Sequence, residues 1–151
     1  MNDTDRLLAI EAIRQLKARY FRLMDTKQWQ PLAALFTADA VVDMRDSAGP
    51  RDESNLFIGG AAFVAALRGF IEPLVTVHHG HTPEIDITSD TTAQGIWAME
   101  DKLWLPDAAE SALPFKHLHG YGHYHETYER GADGRWLIKS SRLSRLRIDM
   151  V

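Results

Sequence analysis

Asp25 stands one residue beyond an apolar stripe, just where the chain changes direction. A carboxylate so placed needs a partner or a purpose. The segment Thr4–Met24 carries Leu7, Ile10, Ile13, Leu16, Tyr20 and Met24 at intervals of three and four, which predicts one face of an amphipathic helix. Tyr20 precedes Asp25 by five residues. Thr26-Lys27-Gln28-Trp29-Gln30 then breaks the pattern, and Pro31 opens a second helix from a position where proline is tolerated. The plainer reading of Asp25 is a solvated carboxylate at a helix end.

The histidines are the second chemical signal. All seven (His78, His79, His81, His117, His119, His123 and His125) fall within predicted strands. Three pairs are spaced i, i+2, so each pair shares a strand face. Imidazoles from neighbouring strands can converge on a metal, but a cupin-like spacing with a following glutamate is missing. Solvated or hydrogen-bonded strand histidines, with no bound metal, are the expectation.

Strand parity sorts the remaining polar residues. Around position 100, Trp97, Met99, Leu103 and Leu105 share a face with Asp101, while Glu100 and Lys102 lie opposite. In the last strand Trp136 and Ile138 share parity with Ser140 and Arg142, which predicts a guanidinium on the inner face. An internal Asp101–Arg142 structural pair is one reading of this.

These residues must be positioned by helices first and strands after. Pro31–Phe36 reads as a short helix, Ala40–Met44 as a short strand, and residues 46–55 (DSAGPRDESN) as a polar loop. Gly59-Gly60 precedes a third helix, Ala61–Phe70, with Phe63, Val64 and Leu67 facing in and Gly69 and Pro73 at its end. Four long β-branched and aromatic runs follow: Val75–Thr88, Thr92–Leu105, Phe115–Arg130 and Arg135–Asp149. Gly131–Gly134 is a short hairpin connection between the last two. Helices followed by a long meander predict an α+β layer whose curved sheet is covered on its concave face. Gly80, Gly95, Gly120 and Gly122 are candidate bend points. A curled sheet closed by helices encloses an apolar pocket, the usual setting for a small-molecule site.

Composition narrows the function classes. The 151 residues, 45 % hydrophobic, fit one domain, residues 1–151, with a real core. With 17 Lys+Arg against 21 Asp+Glu the net charge is −4, which does not suggest a nucleic-acid surface. The absence of cysteine excludes disulfides, thiolate metal sites and cysteine nucleophiles. The polar start Met1-Asn2-Asp3-Thr4-Asp5-Arg6 is unlike a signal peptide. No apolar run reaches the ~20 residues needed to span a bilayer. A soluble cytoplasmic protein is the default expectation.

Three stretches carry a family resemblance: IEAIRQLKARYFRLMDTKQWQPLAALFTADAVV, TVHHGHTPEI and GHYHETYERGADGRWLIKSSRLSRLRID. They resemble the SnoaL-like group of the NTF2-like superfamily, the cone-shaped, cystatin-like α+β fold that also holds scytalone dehydratase, bile-acid 7α-dehydratases, lindane dehydrochlorinase and ketosteroid isomerase. The resemblance spans nearly the whole chain and implies three N-terminal helices packed on a strongly curved, mainly antiparallel sheet. It is specific for the fold and much less so for the reaction.

The dehydratase and dehydrochlorinase branch uses an Asp–His dyad, and the resemblance matches Asp25 to its aspartate and His78 to its histidine. Tyr20 matches the tyrosine of bile-acid dehydratases. Asp101 falls where they carry a further aspartate, and Arg142 lies close to their late arginine. The scytalone-type second histidine has no clear equivalent here. Simple alternation back from Ile85 and Ile87 points His79 and His81 inward; a bulge near Gly80 would bring in His78 instead.

The implied chemistry is proton abstraction from carbon. Neutral imidazole, with a reference pKa of about 6.5, suits that task. A carboxylate on its other nitrogen fixes the tautomer and stabilises the imidazolium. Tyr20 would donate to a substrate oxygen. Asp101 or Arg142 would place the leaving group, and Trp97 and Met99 would line the substrate side. The expectation is a cofactor-independent lyase of dehydratase type acting on a small, hydrophobic, cyclic molecule. The alternatives are an isomerase with Asp25 or Asp101 as base, and a non-catalytic ligand-binding or dimerisation module. Tyr121, Tyr128, Leu137, Leu143 and several histidines exceed what one concave core absorbs, which predicts a homodimer joined through the sheet's convex face.

Overall fold

The computed structural model describes residues 1–107 and 113–151. Helix α1 (Asp3–Asp25) is capped by Asn2, whose side chain accepts from the Asp5 backbone N–H, with Asp3 and Asp5 in the first turn. Its buried side is Ala9, Ile13, Leu16, Lys17, Tyr20, Phe21, Leu23 and Met24. The stripe is therefore rotated from the expected one: Leu7 is exposed, and the lysine at 17 is inside. Helix α2 (Trp29–Ala33) is shorter and earlier than Pro31–Phe36, because Phe36 instead begins strand β1 (Phe36–Asp43).

The loop after β1 ends in a single 3-10 turn (Glu53–Asn55) and strand β2 (Leu56–Ile58), antiparallel to β1. Helix α3 (Gly60–Ile71) follows, burying Phe63, Val64 and Ile71. The three helices thus do not form one N-terminal block, since β1 and β2 separate α2 from α3. Gly60 packs so tightly on Phe36 that a Cβ would sit 2.6 Å from the Phe36 Cβ, which fixes where α3 can start.

The remaining strands are β3 (Val75–Gly80), β4 (Glu84–Ile87), β5 (Thr92–Trp104), β6 (His117–Arg130) and β7 (Trp136–Met150). They join β1 and β2 in one sheet of order β2-β1-β7-β6-β5-β3, with β4 also on β5. Among the described residues only the β1–β7 pairing is parallel. The expected single run Val75–Thr88 is two strands, and the break matters. Gly80 faces Met99 but Glu84 faces Ile96, so four residues of one chain oppose three of the other. That extra residue reverses which side chains face in.

Strand β7 carries two comparable irregularities, opposite Thr127/Tyr128 and opposite Tyr121/Gly122. Alternate residues of β5 and β6 line one core: Trp97, Met99 and Leu103 with Leu118, Tyr124 and Tyr128. Tyr128 and Leu143, expected on the convex face, are buried inside at 1 % and 4 % exposure. Among the described residues, no helix is long and apolar enough to cross a membrane.

Candidate active site

Helix α1 ends in a pair of hydrogen bonds, Lys27 N–H to the Met24 carbonyl (3.1 Å) and Gln28 N–H to the Leu23 carbonyl (2.8 Å). This is a Schellman closure. Asp25 is the last helical residue and projects towards β3. Its Oδ1 lies 2.6 Å from His78 Nδ1 and accepts from Thr76 Oγ1 at 2.9 Å, while Oδ2 accepts from the His78 backbone N–H at 2.9 Å. The His78 side chain is 7 % exposed and that of Asp25 20 %. Phe21 stacks nearly parallel to the imidazole, ring centres 6.4 Å apart.

An ionised carboxylate only accepts, so the proton between the two side chains belongs on Nδ1. In the neutral imidazole the lone pair is then on Nε2, which among the described residues has no hydrogen-bond partner. His79 is exposed and reaches Glu100 on the outer face, while His81 lies past the end of β3. The shift between β3 and β4 is what makes alternation from Ile85 and Ile87 fail.

Asp101 lies directly across from His78 in the β3–β5 register and is buried. Its partner is Arg145, not Arg142: Arg145 Nη1 and Nη2 donate to its two oxygens at 2.6 and 2.8 Å. Burial works against the Arg145 charge, but the hydrogen bonds and negative charge of Asp101 outweigh it and hold the guanidinium's pKa above its ordinary value. Thr127 faces Ser140 and Tyr128 faces Ile138, so one extra residue in β7 flips parity after Ile138. Ser141 and Leu143 turn inward and Arg142 outward, where it is exposed. There it lines an open outer groove of about 720 Å³ with His125, Gln94, Thr127 and Ser140. Gly120 makes the internal pair possible, because a Cβ there would overlap both Asp101 Oδ1 and Arg145 Nη1.

Tyr20 is buried on the same inner side, its ring edge-on to that of Tyr124 with centres 6.1 Å apart. Burial first, then the negative charge of Glu126, pushes its pKa far above the usual phenol value, so it acts as a donor and not as an anion. Trp97 and Met99 are buried neighbours; Trp97 Nε1 donates to Tyr128 Oη at 2.9 Å.

An internal ion pair completes this side. Lys17 Nζ lies 2.6 Å from Glu126 Oε1 with both side chains fully buried, and 3.7 and 4.1 Å from the ring centres of Tyr124 and Tyr20. Glu126 also accepts from Tyr128 (2.6 Å) and Ser141 (2.9 Å). The signal was present in the chain: Lys17 follows Leu16 on the helix stripe, and Glu126 shares parity with Tyr124 and Tyr128.

Solved structures share this fold. A candidate scytalone dehydratase from Novosphingobium aromaticivorans superposes with TM-score 0.81 at 22 % identity, covering 99 % of this chain and 92 % of that one. A type 2 hexachlorocyclohexane dehydrochlorinase gives 0.80 at 19 %, covering 99 % and 93 %. The type 3 enzyme from Novosphingobium barchaimii gives 0.78 at 19 %, covering 99 % and 94 %. At these identities the likeness establishes the shared fold. The family model described as the SnoaL-like domain matches residues 5–142, and the chain therefore belongs to the SnoaL-like family of the NTF2-like superfamily.

Proposed function

We propose that the protein is a cofactor-independent lyase of dehydratase type, in which His78 Nε2 removes a proton from carbon. The observation that carries this reading is the 2.6 Å contact of His78 Nδ1 with Asp25, which leaves Nε2 as the free base. As the C–H bond breaks, its electron pair forms the new double bond, and the leaving group departs with the pair of the bond that held it to the neighbouring carbon. Asp25 stabilises the imidazolium. Tyr20, kept protonated by its burial, has a hydroxyl proton to donate to a substrate oxygen. Arg145, next to the base through the His78–Asp101 register, replaces Arg142 as the cation beside the leaving group. Phe21, Trp97, Met99 and Tyr124 suit a small hydrophobic, cyclic substrate. The names of the solved neighbours, dehydratase and dehydrochlorinase, denote eliminations of this kind.

An isomerase using a carboxylate base fits less well, because both candidates are engaged. Asp25 accepts three hydrogen bonds and Asp101 a bidentate guanidinium. The decisive assay is a panel of cyclic hydroxy-ketones and polychlorinated cyclohexanes, followed by conjugated absorbance and chloride release. At least one should turn over. Asp25→Asn should lower kcat by roughly 10³–10⁴-fold with the circular dichroism spectrum unchanged. Full turnover in Asp25→Asn or His78→Gln would refute the proposal. Binding without turnover, unaffected by either change, would leave the binding-module reading.

A further inference from the structure

Lys27 adopts a backbone conformation that side chains disfavour. Its φ is +59°, the one non-glycine positive φ among the described residues, at the left-handed position of the Schellman closure where glycine or asparagine is usual. Outliers of this kind persist where the surroundings over-determine them, and they cluster at functional sites. Here the side chain's destination accounts for it. Lys27 Nζ donates to Thr76 Oγ1 at 3.0 Å, and the Thr76 hydroxyl donates to Asp25 Oδ1 at 2.9 Å, the same oxygen that meets His78 Nδ1. Thr76 is 4 % exposed, so its hydroxyl has little access to competing water.

The direction of this chain is set by valence. An ammonium only donates, so the Thr76 oxygen must accept from Lys27, and its single proton is then free for Asp25. Without the ammonium the hydroxyl can rotate; without the hydroxyl, Oδ1 loses the donor that opposes the pull of the imidazole. The charged groups around His78 are Asp25 at the end of α1, Lys27 in the following turn, Asp101 across on β5 and, behind it, Arg145 on β7. Glu72 acts on Lys27 from the end of α3, and Lys17 of α1 is already taken by Glu126. Among the described residues, Lys27 is thus the cation linked to the dyad by hydrogen bonds.

We propose that Lys27 and Thr76 are positioning residues for the Asp25–His78 dyad, Lys27 fixing the Thr76 hydroxyl so that its proton holds the Asp25 carboxylate against the imidazole. This rests on reading Asp25 and His78 as the working dyad. It also assigns a use to a lysine where the backbone would favour glycine.

The test needs no substrate. In protein labelled with ¹⁵N-histidine, the Nδ1–H of His78 should give a low-field proton resonance, identified by its loss in His78→Gln and in Asp25→Asn. Thr76→Ser keeps the hydroxyl and should keep the signal. Thr76→Val and Lys27→Gly should make that proton exchange with water about tenfold faster, the scale of one charge-assisted hydrogen bond. Lys27→Gly should unfold at no lower temperature than the parent, since glycine suits this backbone; a merely structural role would show the reverse pattern. Parental exchange in both Thr76→Val and Lys27→Gly would overturn the proposal while leaving the dyad intact. Parental exchange in Lys27→Gly alone would remove Lys27 from it. A parent protein with no such resonance would refute the dyad itself, and the positioning role with it.

Discussion

Replacing Glu126 with glutamine should be among the most damaging single changes to this fold. The substitution keeps volume and one acceptor but removes the only full negative charge within hydrogen-bond distance of Lys17 Nζ, among the described residues. The ammonium is fully buried, and the rings of Tyr20 and Tyr124 cannot replace a carboxylate 2.6 Å away. Removing one partner of a buried pair costs roughly 3–5 kcal/mol, because the other charge is left uncompensated. For a domain of this size about 2–4 °C of Tm follows each kcal/mol. Glu126→Gln should therefore lower Tm by roughly 6–20 °C. Lys17→Met together with Glu126→Gln should recover most of that, since replacing both members of a buried pair is often nearly neutral.

The same variant carries a pH signature. Burial lowers the Lys17 pKa from its ordinary 10.5, more strongly than the charge and hydrogen bond of Glu126 raise it. Between the folded value and 10.5 the unfolded chain binds a proton that the folded one does not, so this group's contribution to stability rises with pH. Glu126→Gln deletes both raising influences and deepens the depression. Its deficit relative to the parent should shrink as pH climbs towards 10.5. Urea unfolding of parent, single and double variants across neutral to alkaline pH reads both effects. A single variant within about 1 kcal/mol of the parent, against the 3–5 expected, would refute the reasoning. So would a deficit that grows with pH.

Four further outcomes are expected. Hydrogen bonds from Arg45 hold the Asp43 carboxyl at about 2 against an ordinary 3.8. The stabilisation is complete above 3.8 and lost as pH falls through 2, so Arg45→Met should unfold at higher pH on acid titration, with its deficit gone at the acid end. Gly120→Ala drives a methyl into Asp101 and Arg145 and should cost about 1–3 kcal/mol. Gly69→Ala, with open space at its Cβ in α3, should instead gain about 0.5–1 kcal/mol by the same denaturation assay. The outer sheet face exposes Ile96 and Trp104 at 39 % and 36 %, and light scattering at micromolar concentration should give twice the 17.1 kDa chain mass. A 17.1 kDa particle would end the homodimer reading.

Features that depend on local periodicity can be read directly from the order of residues. The three-four spacing through Ile13, Leu16, Tyr20 and Met24 specifies α1 and leaves Asp25 at its end. Strict alternation through β5 puts Trp97, Met99 and Asp101 on one face, as the structure has them. Tertiary structure decided everything downstream of a register change, because one extra residue reverses the facing of every side chain that follows. His78 turns inward, and His79 outward, through the slip between β3 and β4. Arg145 reaches Asp101, and Arg142 faces the outer groove, because β7 gains a residue after Ile138. Lys17 and Glu126 were each legible as charges on apolar faces. Their partnership, 109 residues apart along the chain, exists only once α1 lies across β6. Lys27 is the extreme case: no pattern marks a lysine in a turn as anything but solvated, and only the approach of β3 gives its ammonium the Thr76 hydroxyl to hold.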